Sequence, residues 1–123
     1  MAETQRHVLL LDIVDDAEAI ARYEGWHAAG ALPSAIGRSI RAAGIMAMEI
    51  YRAGDRLVML METAPSFDPA AKAAADAADP DVQAWETLMA TVQRPIPAAA
   101  AGQKWVAATP IFSLAEQPDR SIA

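Results

Sequence analysis

Tyr23 and His27 lie four residues apart in the stretch Tyr23-Glu24-Gly25-Trp26-His27. A helix there would project a phenol and an imidazole from one face, one turn apart. On a helical wheel Ala19, Ile20, Tyr23, Trp26, His27 and Gly30 share one sector, the apolar one, so His27 is expected to look inward. The only other histidine is His7, and there is no cysteine. His27 is therefore the natural candidate for acid/base chemistry near neutral pH. An inward histidine can equally be a hydrogen-bonded structural group, and spacing alone does not separate the two readings.

Other polar residues are turned inward by pattern: Asp12 inside an aliphatic run, Glu62 at the end of another, and Glu86 within the apolar sector of a helix. Trp85 and Trp105 would supply aromatic walls. No histidines or carboxylates stand at metal-ligand spacing, and no HExxH, glycine-rich phosphate loop, GxSxG elbow or P-loop lysine occurs. Ser34, Ser39, Ser66, Ser113 and Ser121 fall in turns, on a helix flank or in the tail, positions that do not suit a nucleophile. Carboxylates accept paired hydroxyls and aromatic rings cover the C–H faces of a pyranose, so a monosaccharide is the natural occupant of such a pocket. Each residue also has a plainer reading. Trp85 and Met89 at helical spacing can be core, Glu49 and Glu62 can pair with Arg52 or Arg56 at a strand edge, and Trp105 can cap a sheet.

The elements that must position these groups follow from periodicity. Val8 to Val14 (VLLLDIV) reads as a strand buried on both faces, where Asp12 needs a donor or a cavity mouth. Asp15 and Asp16 open a helix running through Tyr23 and His27 to about Ala28. Gly30 and Pro33 interrupt it, and a second helical piece carries Ile36 and Ile40 inward before Gly44 ends it. Ile45 to Tyr51 and Arg56 to Glu62 form a hairpin about Arg52-Ala53-Gly54-Asp55. A loop and short helix over 64–80 precede a firmer helix from Asp81 to Arg94, with Val82, Trp85, Met89 and Val92 as its stripe and Glu86 and Gln93 in the same sector. Lys104 to Leu114 reads as a last strand kinked at Pro110. The order β-α-β-β-α-β predicts an α+β, ferredoxin-like fold with a four-stranded antiparallel sheet covered by helices on one face. Both faces of the strands are largely apolar, so a second copy is expected to cover the other face in a homodimer.

Composition sets the bounds. The 123 residues suit one domain, taken as residues 1–114, followed by a flexible tail over 115–123. A net charge of −6 argues against nucleic acid or an anionic membrane as partner. The polar N-terminus lacks the order of a signal peptide, and no apolar run is long enough to span a bilayer, so the cytoplasm is expected.

Six short pieces resemble the L-rhamnose mutarotase family, and within it a branch associated with L-fucose-type sugars. They are LLLDIVDD, YEGWH with Gly30, GIMAMEIYRAGDRLVMLMET, FDP at Phe67, VQAWETLM and GQKWV…IFSL, in order from about His7 to Leu114. The resemblance implies a dimeric α+β barrel, interconversion of sugar anomers, and no cofactor. It carries the acid/base histidine onto His27, a helical tyrosine onto Tyr23 and the first tryptophan of an aromatic pair onto Trp85. Glu86 stands where rhamnose-type members have a second tryptophan, Met48 where they have a tyrosine, and Leu32-Pro33 where they have tryptophan-proline. The first two changes replace sugar-contacting side chains, which turns the expected substrate from L-rhamnose toward L-fucose. Opening the ring needs one proton delivered to the ring oxygen and one taken from the anomeric hydroxyl, with His27 as principal acid/base group and Glu86 or Asp12 as complementary carboxylate. Two other classes share this architecture: small oxygenases or haem-binding proteins with a histidine ligand, and sugar-binding modules without catalysis.

Overall fold

The structure is a computed structural model that describes residues 3–121. Strand β1 (Gln5–Ile13) is followed by helices α1 (Ala17–Trp26) and α2 (Ser34–Ala42), the hairpin β2 (Ile45–Ala53) and β3 (Arg56–Thr63), and helices α3 (Pro69–Ala78) and α4 (Pro80–Ala90). Two short strands, β4 (Gln93–Arg94) and β5 (Val106–Ala107), and a 3-10 turn (Leu114–Glu116) complete it. The sheet order is β2-β3-β1-β4, with β5 also on β1, and every pairing is antiparallel. This is the α+β, ferredoxin-like arrangement expected from the sequence, with β4 and β5 sharing the place of its fourth strand.

Local chemistry accounts for the element ends. Asp16 caps α1 by accepting from the Ala19 N–H at 3.0 Å, and Asp79 caps α4 by accepting from Asp81 and Val82. Gly44 (φ 91°) reverses the chain after α2, and Gly54 (φ 60°) opens the two-residue turn of the hairpin, conformations a side chain would strain.

Alternation on the central strands divides the sheet into two faces. Leu11, Ile13, Leu57, Met59 and Met61 point toward the helices and are buried against Ala19, Tyr23, Ile45, Met89 and Val92. Val8, Leu10, Val58 and Leu60 lie on the opposite face, where Val8 pairs with Leu60 and Leu10 with Val58, and each is only partly covered.

The C-terminal third departs from the expected elements. The helix expected to reach Arg94 ends at Ala90, and Gln93–Arg94 instead pair with Ile13 and Asp12. Val92, fully buried, carries the chain into the sheet, and its carbonyl accepts the Val14 N–H. Pro95 and Pro97 have no N–H, so the ladder stops after two residues. The strand expected over Lys104 to Leu114 is confined to Val106–Ala107, and Ile111, Phe112 and Leu114 are exposed.

Candidate active site

A cleft of about 720 Å³ opens between the helix-covered face of the sheet and the helices. Tyr23 and His27 from α1, Trp85, Glu86 and Met89 from α4, and Trp105 ahead of β5 contribute to its lining. The volume lies in the range of small-molecule sites, and the wall is mostly apolar with a few polar groups.

Helix α1 stops at Trp26, two residues before the expected end at Ala28, and His27 is its C-cap. The two rings nevertheless meet. His27 stacks on Tyr23 with centroids 4.3 Å apart and planes 27° apart, and meets Trp85 edge-on at 5.3 Å. His27 Nδ1 lies 2.7 Å from the backbone carbonyl oxygen of Tyr23. A carbonyl can only accept, so Nδ1 carries the hydrogen, and in the neutral ring the lone pair belongs to Nε2. The helix end therefore fixes both tautomer and ring plane, and Nε2 has no hydrogen-bond partner among the described residues.

Tyr23 is 4% exposed, and burial pushes its phenol up to about 12, with the Gln93 side chain opposing the rise. The phenol thus keeps its proton across the physiological range and acts as a hydrogen-bond donor. Glu86 is half-buried one residue beyond Trp85, its Oε2 accepting from Gln83 Nε2 at 3.3 Å.

Asp12 has the donor that its place in a buried strand called for. It does not line the cleft, because alternation along β1 turns it away from Leu11 and Ile13, onto the opposite face. Its cross-strand neighbours are Arg56 on β3 and Arg94 on β4. Arg56 donates to both carboxylate oxygens, at 2.8 and 3.2 Å, and Arg94 stands 3.8 Å away. The Arg56 hydrogen bonds outweigh the opposing effect of burial and hold the Asp12 carboxyl below its usual range. Glu62 likewise lies outside the cleft, accepting from Arg6 and Thr4 rather than pairing with Arg52 or Arg56.

The cleft also contains groups the sequence did not single out. Lys72 and Asp76 form an ion pair at 2.7 Å that Ser39 joins at 3.1 Å, and Lys104 lines the same cavity. Their i,i+4 spacing was the available signal, inside an alanine-rich stretch that gave no clear face. Among the described residues no group of three or more histidines and carboxylates could hold a metal ion, and no helix is long and apolar enough to cross a membrane.

The model of the family described as L-rhamnose mutarotase matches residues 6–114. The chain belongs to the L-rhamnose mutarotase family. It is also 50% identical over 112 residues to an L-fucose mutarotase of Xanthomonas campestris pv. campestris, an alignment covering 91% of this chain and 90% of the relative. The protein is accordingly an isomerase of the anomer-interconverting kind, and the cleft is where its imidazole, phenol and tryptophans converge.

Proposed function

We propose that the enzyme interconverts the α and β anomers of a 6-deoxy-L-hexose, L-fucose in preference to L-rhamnose, with His27 as the acid/base group. The observation carrying this reading is the Nδ1 hydrogen bond from His27 to the Tyr23 carbonyl, which leaves Nε2 free in a sugar-sized cleft. In the ring-opening direction Nε2 takes the proton of the anomeric hydroxyl while the ring oxygen receives one, giving the open aldehyde. Rotation about C1–C2 and the reverse transfers close the other anomer. The Tyr23 phenol, held protonated, is the proton donor beside the imidazole, the Glu86 side chain lines the same cleft, and Trp85 and Trp105 cover the apolar faces of the ring.

The preference for L-fucose rests on the relative from Xanthomonas and on three positions in the cleft. Leu32, Met48 and Glu86, where the sequence departs from rhamnose-type members, all line the cavity. A carboxylate in place of an indole offers acceptors where an apolar wall would otherwise stand, which suits a differently placed hydroxyl. The same proposal includes a cytoplasmic setting and a homodimer formed through the half-covered face of Val8, Leu10, Val58 and Leu60, an apolar patch that a monomer would leave in water. Saturation-transfer NMR on L-fucose and L-rhamnose tests the substrate reading: the enzyme accelerates exchange of L-fucose more strongly. Equal acceleration of both, or none, overturns it.

A further inference from the structure

Helix α3 has its amphipathicity inverted. Its sequence is PAAKAAADAA, and the two charged residues, Lys72 and Asp76, are the ones turned inward while its alanines are exposed. A surface helix ordinarily does the reverse. The two side chains keep only 20% and 17% of their surface. Nor does the helix itself favour the pair. Lys72 stands toward the positive N-terminal end and Asp76 toward the negative C-terminal end, opposed to the macrodipole and to the preferred i,i+4 order. A largely buried ion pair adds little net stability, so the reason for it lies outside the helix.

That reason is in the cleft, which Lys72, Asp76 and Ser39 of α2 all line. Lys72 Nζ donates to Asp76 Oδ1 at 2.7 Å and to Oδ2 at 2.8 Å, and Ser39 Oγ donates to Oδ1 at 3.1 Å. An ammonium has three N–H groups and each carboxylate oxygen accepts twice. One N–H of Lys72 and one lone pair of Oδ2 are therefore left over, and a single hydroxyl, donor and acceptor at once, satisfies both. The pair stands beside the first turn of α4, where the Asp76 carbonyl accepts from Gln83 Nε2 at 2.9 Å. Trp85, which meets His27, follows on that helix. Met89, which packs with Tyr23, lies six residues beyond Gln83, a rise of roughly 9 Å. The imidazole and phenol thus serve one end of the cleft and the ion pair the other.

We propose that Lys72 and Asp76 are specificity-determining residues that hold the C4 hydroxyl of the bound pyranose. The proposal rests on the mutarotase reading of the same cleft. With the anomeric carbon at His27, C4 is the ring atom directly across from it, on the side where the ion pair stands. L-Fucose and its C4 epimer, 6-deoxy-L-glucose, differ only in whether this hydroxyl is axial or equatorial, and L-rhamnose differs from L-fucose at C4 and at C2. An ammonium and a carboxylate fixed by each other and by Ser39 meet one placement and stay unpaired with the other, which is how a polar site rejects a near-isostere. Opening the C1–O5 bond leaves C4 untouched. Its hydroxyl is held equally before and during the reaction, so losing that contact weakens binding without slowing chemistry.

The test uses two variants. Lys72→Met with Asp76→Leu removes both charges together and leaves neither unpaired, and Asp76→Asn keeps the shape. Anomer exchange is measured by NMR over a range of L-fucose and 6-deoxy-L-glucose concentrations, alongside thermal melting of the free proteins. Expected in both variants is a KM for L-fucose raised about tenfold or more, the size of a lost hydrogen bond to a charged group. With it go a kcat within about threefold of wild type and a diminished preference for L-fucose over its C4 epimer. The Tm of the double variant stays level or rises. A KM within about twofold of wild type with the preference unchanged overturns the proposal. That result assigns the pair to tying α3 onto α2, where Tm falls, or to the neighbouring hollow of about 360 Å³ that it also borders. A wild type that exchanges both epimers with equal KM overturns it too. Wild-type silence toward L-fucose instead overturns the substrate reading.

Discussion

Replacing Asp12 by Asn separates a structural carboxylate from a catalytic one. The substitution preserves shape but removes the charge that accepts from Arg56 at 2.8 and 3.2 Å and faces Arg94 at 3.8 Å. Hydrogen bonds to charged groups contribute roughly 1.5–3 kcal/mol. Arg56 and Arg94 are half exposed, so water screens the pair and the expected loss is about 1–2 kcal/mol. For a chain of this size that lowers Tm by roughly 3–10 °C. The sign with pH follows from the depressed carboxyl: its contribution is fully present above the ordinary value of 3.8 and is lost as pH falls through the lower folded-state value. Urea unfolding at pH 7 and in steps below pH 4 therefore shows a gap between wild type and variant that closes in acid. Anomer exchange by the variant at pH 7 stays within threefold of wild type. A tenfold loss of exchange with stability intact refutes the reasoning and returns Asp12 to the chemistry.

Trp85 meets the His27 ring edge-on and lines the cleft, so Trp85→Leu raises KM for the sugar by about tenfold or more, with a smaller effect on kcat, readable in the same exchange assay. Asp79 accepts from the Asp81 and Val82 N–H groups at the start of α4, the helix that carries Trp85 and Glu86. Asp79→Ala costs about 1 kcal/mol in denaturant unfolding, with the sugar site retained.

Alternation and turn chemistry made β1, the hairpin and the helix caps readable, because Leu11, Ile13 and Leu57 repeat with strand period and Asp16, Gly44 and Gly54 stand where their conformations are needed. The meeting of Tyr23 and His27 was readable too, although the helix gives way to a cap at His27. The side on which Asp12 falls was not. A strand that is apolar on both faces does not say which face looks into the cavity, and the arginines that claim Asp12 come from 44 residues away and from a strand only two residues long. Gln93 was read as facing inward, but from a helix rather than from a strand. Helical periodicity continues through Val92 and Gln93, and only the fully buried Val92, bonded to Val14, pulls the chain into the sheet. Lys72 and Asp76 reach the cleft from a stretch whose composition, alanine at most positions, hides its inner face.

The account turns on the imidazole at the end of α1, and His27→Ala addresses it most directly. Circular dichroism and melting establish that the variant folds, since the one hydrogen bond lost, to the Tyr23 carbonyl, contributes about 1 kcal/mol. Saturation-transfer NMR on L-fucose then gives the exchange rate. The account predicts a fall of about 10²–10⁴-fold, the share that a positioned acid/base group supplies. A folded variant that exchanges the anomers within threefold of wild type contradicts it.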